Sequence, residues 1–303
     1  MKTNQFNNKI CLVTGASSGI GKALSQKLNS MGAIVILTAR NRENLELVKA
    51  DCTYPDRTRI LPFDMEDINK IESFARTAWN VFQNIDFVFL NAGMAIRDMV
   101  HLTDLGMVYK QMNINFFSPV ALSKALLPYM REKKQGCFVV TSSLCGKFGV
   151  PKLSAYSASK HALHGFFESL RAEYESDGIH VTMITAGLVK TDITVHALKG
   201  NGTINGKMQE SVAGGISPEA CSNEIVRAVA VGKCDALVGG IEKYSVLVKR
   251  FFPGILRMVI TRHPMKKLRN AGLLPKSSFT APDSSNMYRT NIQTIADLIP
   301  VGR

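Results

Sequence analysis

Lys9-Ile10-Cys11-Leu12-Val13-Thr14-Gly15-Ala16-Ser17-Ser18-Gly19-Ile20-Gly21-Lys22-Ala23-Leu24-Ser25-Gln26-Lys27-Leu28 is the stretch whose reading decides the fold. Residues 9–14 form a short apolar run with β-branched side chains and predict a buried first strand. Residues 22–28 space their apolar side chains as an amphipathic helix does. Between them lie three glycines. Strand, glycine turn and helix in this order is the setting in which a backbone can approach a dinucleotide pyrophosphate. Gly15 permits a tight exit from the strand, Gly19 a close approach of the backbone, and Gly21 close packing of helix on sheet. The helix N-terminus adds unpaired N–H groups and a positive dipole end. Contacts to such a ligand are expected from Gly15, Ser17, Ser18, Gly19, Ile20 and Gly21. A glycine-rich turn that holds no ligand is the plainer alternative.

Working outward, strand-like runs recur near 9–14, 33–38, 58–62, 85–90, 136–142, 179–185 and 235–238, with helical patterns between them. Such alternation predicts an α/β fold, a doubly wound parallel sheet covered by helices on both faces. No solenoid-type repeat is visible. A chain of 303 residues with 46% hydrophobic content can bury a full core of this kind.

A second feature lies in Ala155-Tyr156-Ser157-Ala158-Ser159-Lys160. On a helix, Tyr156 and Lys160 share one face at i and i+4. A tyrosine ordinarily titrates near pH ~10, and a neighbouring cation favours its phenolate. The pair is thereby expected to exchange a proton with a carbonyl or alcohol. Taken alone, a Tyr and a Lys at this spacing are usually plain helix surface.

Together with the spacing TGxxxGxG and with Asn91-Ala92-Gly93, the YxxxK pair resembles the short-chain dehydrogenase/reductase family over about residues 8–240. The resemblance implies a Rossmann-like fold and hydride transfer between a nicotinamide cofactor and a carbonyl/alcohol pair. It also assigns roles to particular positions. Ser143, thirteen residues before Tyr156 at the end of the run 137–143, matches the serine that holds the developing alkoxide. Ser142 beside it is read as structural, because alternate strand residues face opposite ways. Asn115 matches the asparagine that keeps a helix open around a proton-relay water, and is preferred to Asn113 on the register set by Leu126-Leu127-Pro128. Lys160 both lowers the tyrosine pKa and binds the nicotinamide ribose. Asn91, Ala92 and Gly93 border the cofactor. The implied catalytic set is Asn115, Ser143, Tyr156 and Lys160. The family usually carries Pro-Gly after the sixth strand, where this chain has Ala186-Gly187. The missing proline removes a fixed φ, while Gly187, Val189 and Thr191 remain to meet the carboxamide.

Charge at the end of the second strand bears on the cofactor. An NAD-binding chain carries an acidic side chain there for the ribose 2′-OH. Here Ala39 is followed by Arg40, whose guanidinium can grip a 2′-phosphate. NADP(H) is the expected cofactor. Asp64 resembles the family's adenine-contacting acid, and a helix N-cap is its structural alternative.

The six cysteines form no CxxC pair, and the first eight residues lack an apolar signal core. A cytoplasmic protein is expected. His161 and His164 lie i,i+3 without a third ligand at metal spacing, and no metal is expected. The net charge of +13 is uneven, because residues 241–303 hold eleven Lys and Arg against three acids. Within them Leu247/Val248, Phe251/Phe252, Ile255/Leu256 and Val259/Ile260 recur every four residues around Lys249, Arg250, Arg257 and Arg262. This predicts a basic amphipathic helix divided at Pro253-Gly254. Lys266, Lys267 and Arg269 continue the basic run. Such a stripe suits an anionic membrane surface, or it closes the substrate pocket or a subunit interface. It is too interrupted to span a bilayer. No nucleic-acid motif accompanies it.

The expected organisation is a catalytic domain over 1–240, a basic extension over 241–275 and a flexible tail over 276–303, with a short turn within 292–299. A homo-oligomer is expected. The predicted function is an NADP(H)-dependent carbonyl reductase acting on an apolar, lipid-like, steroid or retinoid substrate. Met94, Leu144, Phe148, Leu153, Leu188 and Ile193 are the expected pocket edge. A non-catalytic NADP(H)-binding regulatory protein of the same fold is the alternative.

Overall fold

The computed structural model describes residues 5–270, and of 262–270 the backbone alone. The chain enters β1 (Ile10–Thr14), turns through its glycines into α1 (Gly19–Ser30), and continues through β2 (Ile34–Thr38), α2 (Arg42–Ala50), β3 (Thr58–Ile60), α3 (Ile71–Asn80) and β4 (Phe87–Leu90). Next come α4 (Leu105–Met112), α5 (Ser118–Glu132), β5 (Gly136–Ser143), α6 (Ser154–Tyr174) and β6 (Ile179–Ala186). A short α7 (Glu210–Ala213), α8 (Pro218–Ala230), β7 (Asp235–Val238), α9 (Ser245–Phe251) and α10 (Pro253–Asn270) follow. The seven strands are all parallel, in the order β3-β2-β1-β4-β5-β6-β7. The expected doubly wound sheet is therefore present.

Burial on both faces explains why the strands were legible as unbroken apolar runs. Side chains of successive strand residues feed two separate cores. Cys11, Val13, Val35, Leu37 and Phe89 pack under α1 and α8, whereas Leu12, Ile36, Val88, Val140 and Met183 pack under α3, α5 and α6. The strand order reverses between β1 and β4, and a crevice opens beyond the carboxyl ends of strands at such a switch point.

Two local features prepare that crevice. Between α4 and α5 the helix widens into one π-turn over Asn113–Phe117, with Asn115 buried inside it. Single π-turns of this kind recur at functional positions. Near the C-terminus, α9 stops at Phe252 and Pro253 opens α10, where its missing N–H costs nothing. Of the described residues, those up to 258 form one compact unit and 259–270 belong to a second. The expected tail over 276–303, the turn within 292–299 and the side chains of Arg262, Lys266, Lys267 and Arg269 lie outside the described residues.

Candidate active site

Thr14 ends β1 with a buried hydroxyl that donates to the Phe89 carbonyl at 3.2 Å and accepts from the N–H groups of Asn91 and Ala92 at 3.0 Å each. Asn91 Nδ2 donates back to the Thr14 carbonyl at 3.3 Å. The exits of β1 and β4 are thus tied together, and little room remains. A Cβ on Gly15 would lie 2.9 Å from Ala92 Cα, and one on Gly21 would lie 2.1 Å from the Gly15 oxygen. Gly15 and Gly19 also hold φ of +66° and +52°, a region that residues with a Cβ rarely enter.

Ser18 caps α1 without its side chain bonding to the helix, and the first turn of α1 carries no acid. The free N–H groups of that turn border the groove the glycines keep open. These residues fit the pyrophosphate of a dinucleotide. The expected contacts on Gly15, Ser17, Ser18, Gly19, Ile20 and Gly21 lie on this one turn. Thr191 closes it from the opposite side, since a Cβ on Gly19 would lie 3.0 Å from Thr191 Cγ2. Val189 is buried, and its loop is pinned by mutual bonds in which Lys190 N donates to Ile216 O and Ile216 N to Leu188 O.

Ala16 N donates to Thr38 O at 3.0 Å, so the glycine turn abuts the end of β2. Arg40 is exposed two residues further on, and among the described residues its guanidinium has no ion-pair partner. Asp64 is exposed just beyond Phe63, whose N–H donates to Ala39 O. Its carboxylate accepts from Glu66 N at 3.0 Å. The alternative of a helix N-cap does not hold, because α3 begins at Ile71 behind Lys70.

The four residues of the implied catalytic set converge. Asn115 accepts from Met94 N at 2.9 Å, and its Nδ2 donates to Met94 O at 3.0 Å and to Ser159 Oγ at 3.1 Å. Ser159 Oγ in turn donates to the Tyr156 carbonyl at 2.8 Å. Lys160 is buried on the same helix, and its Nζ donates to Thr141 O at 2.8 Å and stands 5.8 Å from the Tyr156 ring centre. Gly93 borders both, because a Cβ there would lie 3.3 Å from Asn115 Oδ1 and 3.7 Å from Lys160 Nζ. Ser143 Oγ accepts from Cys145 N at 3.2 Å and interacts with the Tyr156 hydroxyl. Ser142 turns the other way, its Oγ on the Lys160 carbonyl, as alternation along a strand requires.

The electrostatics depart from the expectation that Lys160 lowers the tyrosine pKa. Burial disfavours the phenolate and holds Tyr156 well above the ordinary tyrosine value; the Cys145 sulfur adds to this and only the Ser143 hydroxyl opposes it. Burial also brings Lys160 down to about 8, against a small opposing pull from Cys145. Desolvation acts on both members of the pair and is the largest cause of each shift. Tyr156 in this chain is a protonated phenol at neutral pH. Cys145 is itself a neutral thiol, raised first by burial.

Several supporting residues escaped the sequence reading. Gln111 bonds Ile96 N at 2.7 Å and Met94 O at 2.7 Å, holding the loop after Gly93. Thr14, Ser159 and Glu242 were likewise passed over; only Thr14, inside the glycine signature, carried a signal. Of the expected pocket edge, Leu144 and Phe148 are buried, Met94, Leu153 and Leu188 half-buried, and Ile193 exposed. His164 meets Glu168 and Asp235 in one cluster, but Lys147 Nζ at 3.1 Å from His164 Nδ1 and Arg171 on Asp235 already supply its cations. His161 instead points Nδ1 at the Ser157 carbonyl.

Comparison with known proteins agrees with this geometry. Residues 9–201 match the short chain dehydrogenase family. A dehydrogenase/reductase SDR family protein 7-like from Anopheles gambiae is 39% identical over 242 residues, covering 78% of this chain and 76% of the relative. Dehydrogenase/reductase SDR family member 7B from Mus musculus is 34% identical over 271 residues, covering 88% of this chain and 84% of the relative. A short-chain dehydrogenase from Streptomyces avermitilis superposes with a TM-score of 0.70 at 26% identity, over 88% of this chain and 97% of that one. ElxO with NADPH bound shares the fold, with a TM-score of 0.59 at 24% identity over 61% of this chain and 75% of its own.

Burial of the phenol has a direct readout. In an ultraviolet difference titration of wild type against Tyr156→Phe, Tyr156 should contribute no phenolate signal until the pH passes ~10, the ordinary tyrosine value. A phenolate appearing near neutrality would mean that the Lys160 charge overcomes desolvation.

Proposed function

The chain belongs to the short-chain dehydrogenase/reductase family, an oxidoreductase family that binds a nicotinamide cofactor and acts on small molecules, and from that premise we propose that it is an NADP(H)-dependent carbonyl reductase with an apolar substrate. The observation that carries the reading is the convergence of Tyr156 and Ser143 with Lys160 beside the ring and Asn115 linked through Ser159. A non-catalytic binder has no use for that convergence.

When bound, the nicotinamide supplies the hydride that reduces the carbonyl carbon. The chain does the rest. The Tyr156 hydroxyl donates its proton to the carbonyl oxygen as charge develops there. Ser143 donates a hydrogen bond to the same oxygen, an oxyanion-type stabilisation. Burial keeps the phenol protonated, so its proton is in place for transfer to the carbonyl oxygen. Lys160 provides a cation against the phenolate left behind, and Asn115 holds the π-turn and the Met94 backbone beside the pair. Gly187, Val189 and Thr191 meet the carboxamide, Asn91, Ala92 and Gly93 border the cofactor, and Asp64 lies at the adenine end.

Choice of NADP(H) rests on Arg40, exposed and without an ion pair among the described residues at the end of β2. A guanidinium binds a phosphate bidentately. The NADPH bound to the structural neighbour ElxO points the same way. Met94, Leu144, Phe148, Leu153, Leu188 and Ile193 give the substrate side an apolar edge, which suits a lipid-like, steroid or retinoid ketone.

The C-terminal segment favours an additional role at a membrane surface. Ile241 is 87% exposed, Phe251 65%, Phe252 60% and Ile255 50%. Lys249 and Arg250 are exposed among them. No described helix is long and apolar enough to cross a membrane. An exposed apolar face bordered by cations matches an anionic lipid surface.

Purified protein should oxidise NADPH in the presence of long-chain, steroid or retinoid ketones, and Arg40→Asp should move the ratio of kcat/KM toward NADH by more than ~10-fold, since like-charge juxtaposition costs several kcal/mol. An unmoved ratio would remove Arg40 from the 2′-phosphate, and no turnover with any ketone would sink the reductase reading. Vesicles containing phosphatidylserine should co-sediment the protein at low salt and release it at high salt, because each basic side chain near the surface contributes ~1 kcal/mol that salt screens. Changing Lys249, Arg250 and Arg257 to Gln should weaken that binding. Absence of binding at low salt would leave a pocket lid or subunit contact as the role of this segment.

A further inference from the structure

The loop that carries Val189 and Thr191 lacks the proline that would fix its entry, because Ala186 precedes Gly187. Something else must set its course. Glu242, in the 3-10 turn Ile241–Tyr244 after β7, reaches back to it. One oxygen, Oε1, accepts from Leu188 N at 2.9 Å and from Gly240 N at 2.9 Å. Two backbone segments lying 52 residues apart, the exits of β6 and β7, therefore share a single carboxylate oxygen.

The space around that carboxylate is kept by glycines. A Cβ on Gly187 would lie 2.3 Å from Oε1, one on Gly239 2.8 Å from Oε1, and one on Gly240 2.6 Å from Oε2. Gly239 also holds φ of +146°, and Gly187 N donates to Val238 O at 2.7 Å. Three glycines converge on one half-buried acid, and none of the three could gain a side chain without displacing it. Downstream of Leu188 the same loop is held by Ile216 and ends with Thr191 against Gly19. An anionic acceptor on a backbone N–H makes a shorter and stronger bond than a neutral one.

We propose that Glu242 is a positioning residue for the nicotinamide end of the cofactor site: its carboxylate fixes Leu188 N and thereby the path of the loop that presents Val189 and Thr191. This rests on the reading that the loop meets the carboxamide. Glu242 touches neither cofactor nor substrate, and acts through the backbone of residues 187–191.

The test separates the two ends of the cofactor. Equilibrium binding of NADPH and of 2′,5′-ADP, which lacks the nicotinamide half, is measured by calorimetry for wild type, Glu242→Ala and Glu242→Gln. Apo melting temperatures are recorded alongside. Glu242→Ala should weaken NADPH binding about tenfold, equal to ~1.4 kcal/mol, and leave 2′,5′-ADP binding unchanged. Glu242→Gln, whose amide oxygen can accept both N–H bonds, should stay within about threefold of wild type, or ~0.7 kcal/mol. Equal loss of both ligands, or no loss of either, overturns the proposal, as does a Gln variant that behaves like Ala. Wild type that binds 2′,5′-ADP and NADPH equally tightly refutes the underlying reading of the loop instead. Should the Ala variant fail to fold, Gly240→Ala, whose methyl group would lie 2.6 Å from Glu242 Oε2 and displace the carboxylate, is read on the same two ligands with the same expected split.

Discussion

One hydroxyl, Thr14 Oγ1, joins the carboxyl ends of β1 and β4 with three hydrogen bonds to the backbone. On one side of that joint lies the glycine turn that leads into α1. On the other lies the Asn91–Gly93 segment, whose last residue borders Asn115 and Lys160. The glycine turn and the segment that borders Asn115 and Lys160 are therefore tied to the same short piece of backbone. The glycines follow from the joint as well, since Gly15 and Gly21 pack against Ala92, Asn91 and each other at distances that admit no side chain. A shift of either strand end would misplace both halves of the site at once.

Behind the joint, desolvation decides the chemistry. Tyr156 and Lys160 are brought together by helical spacing, yet burial moves each toward its neutral form, the phenol upward and the ammonium down to about 8. Desolvation is the largest cause of both shifts, although the ammonium stands 5.8 Å from the ring centre. At neutral pH the phenol is thereby protonated. Cys145 shares the same burial, which keeps its thiol neutral and its influence on the tyrosine small beside desolvation.

How much was legible in the sequence follows from the range of each interaction. Strands buried on both faces read directly as apolar runs, and Ile10–Thr14, Ile34–Thr38 and Gly136–Ser143 stand within two residues of where those runs were read. The glycine turn and the YxxxK pair are local patterns, so their residues could be named. Local spacing could not reveal the balance of solvation against charge, and the tyrosine pKa was accordingly misjudged in direction. Nor could it reveal contacts across the chain. Gln111 meets Met94, Ser159 meets Asn115, and Glu242 meets Leu188, each through a polar residue that looks ordinary in its own neighbourhood. At Asp64 only the structural alternative falls away, because Asp67 and not Asp64 occupies the N-cap of the 3-10 turn Ile68–Lys70 that leads into α3.

The central claim is that Tyr156 supplies the proton for a carbonyl reduced at the expense of NADPH. A single-turnover measurement of hydride transfer in Tyr156→Phe, with NADPH affinity determined on the same preparation, tests it most directly. The account predicts nearly unchanged affinity and a transfer rate lowered by 10²-fold or more, roughly the contribution of a positioned acid. Hydride transfer at the wild-type rate in that variant would contradict it.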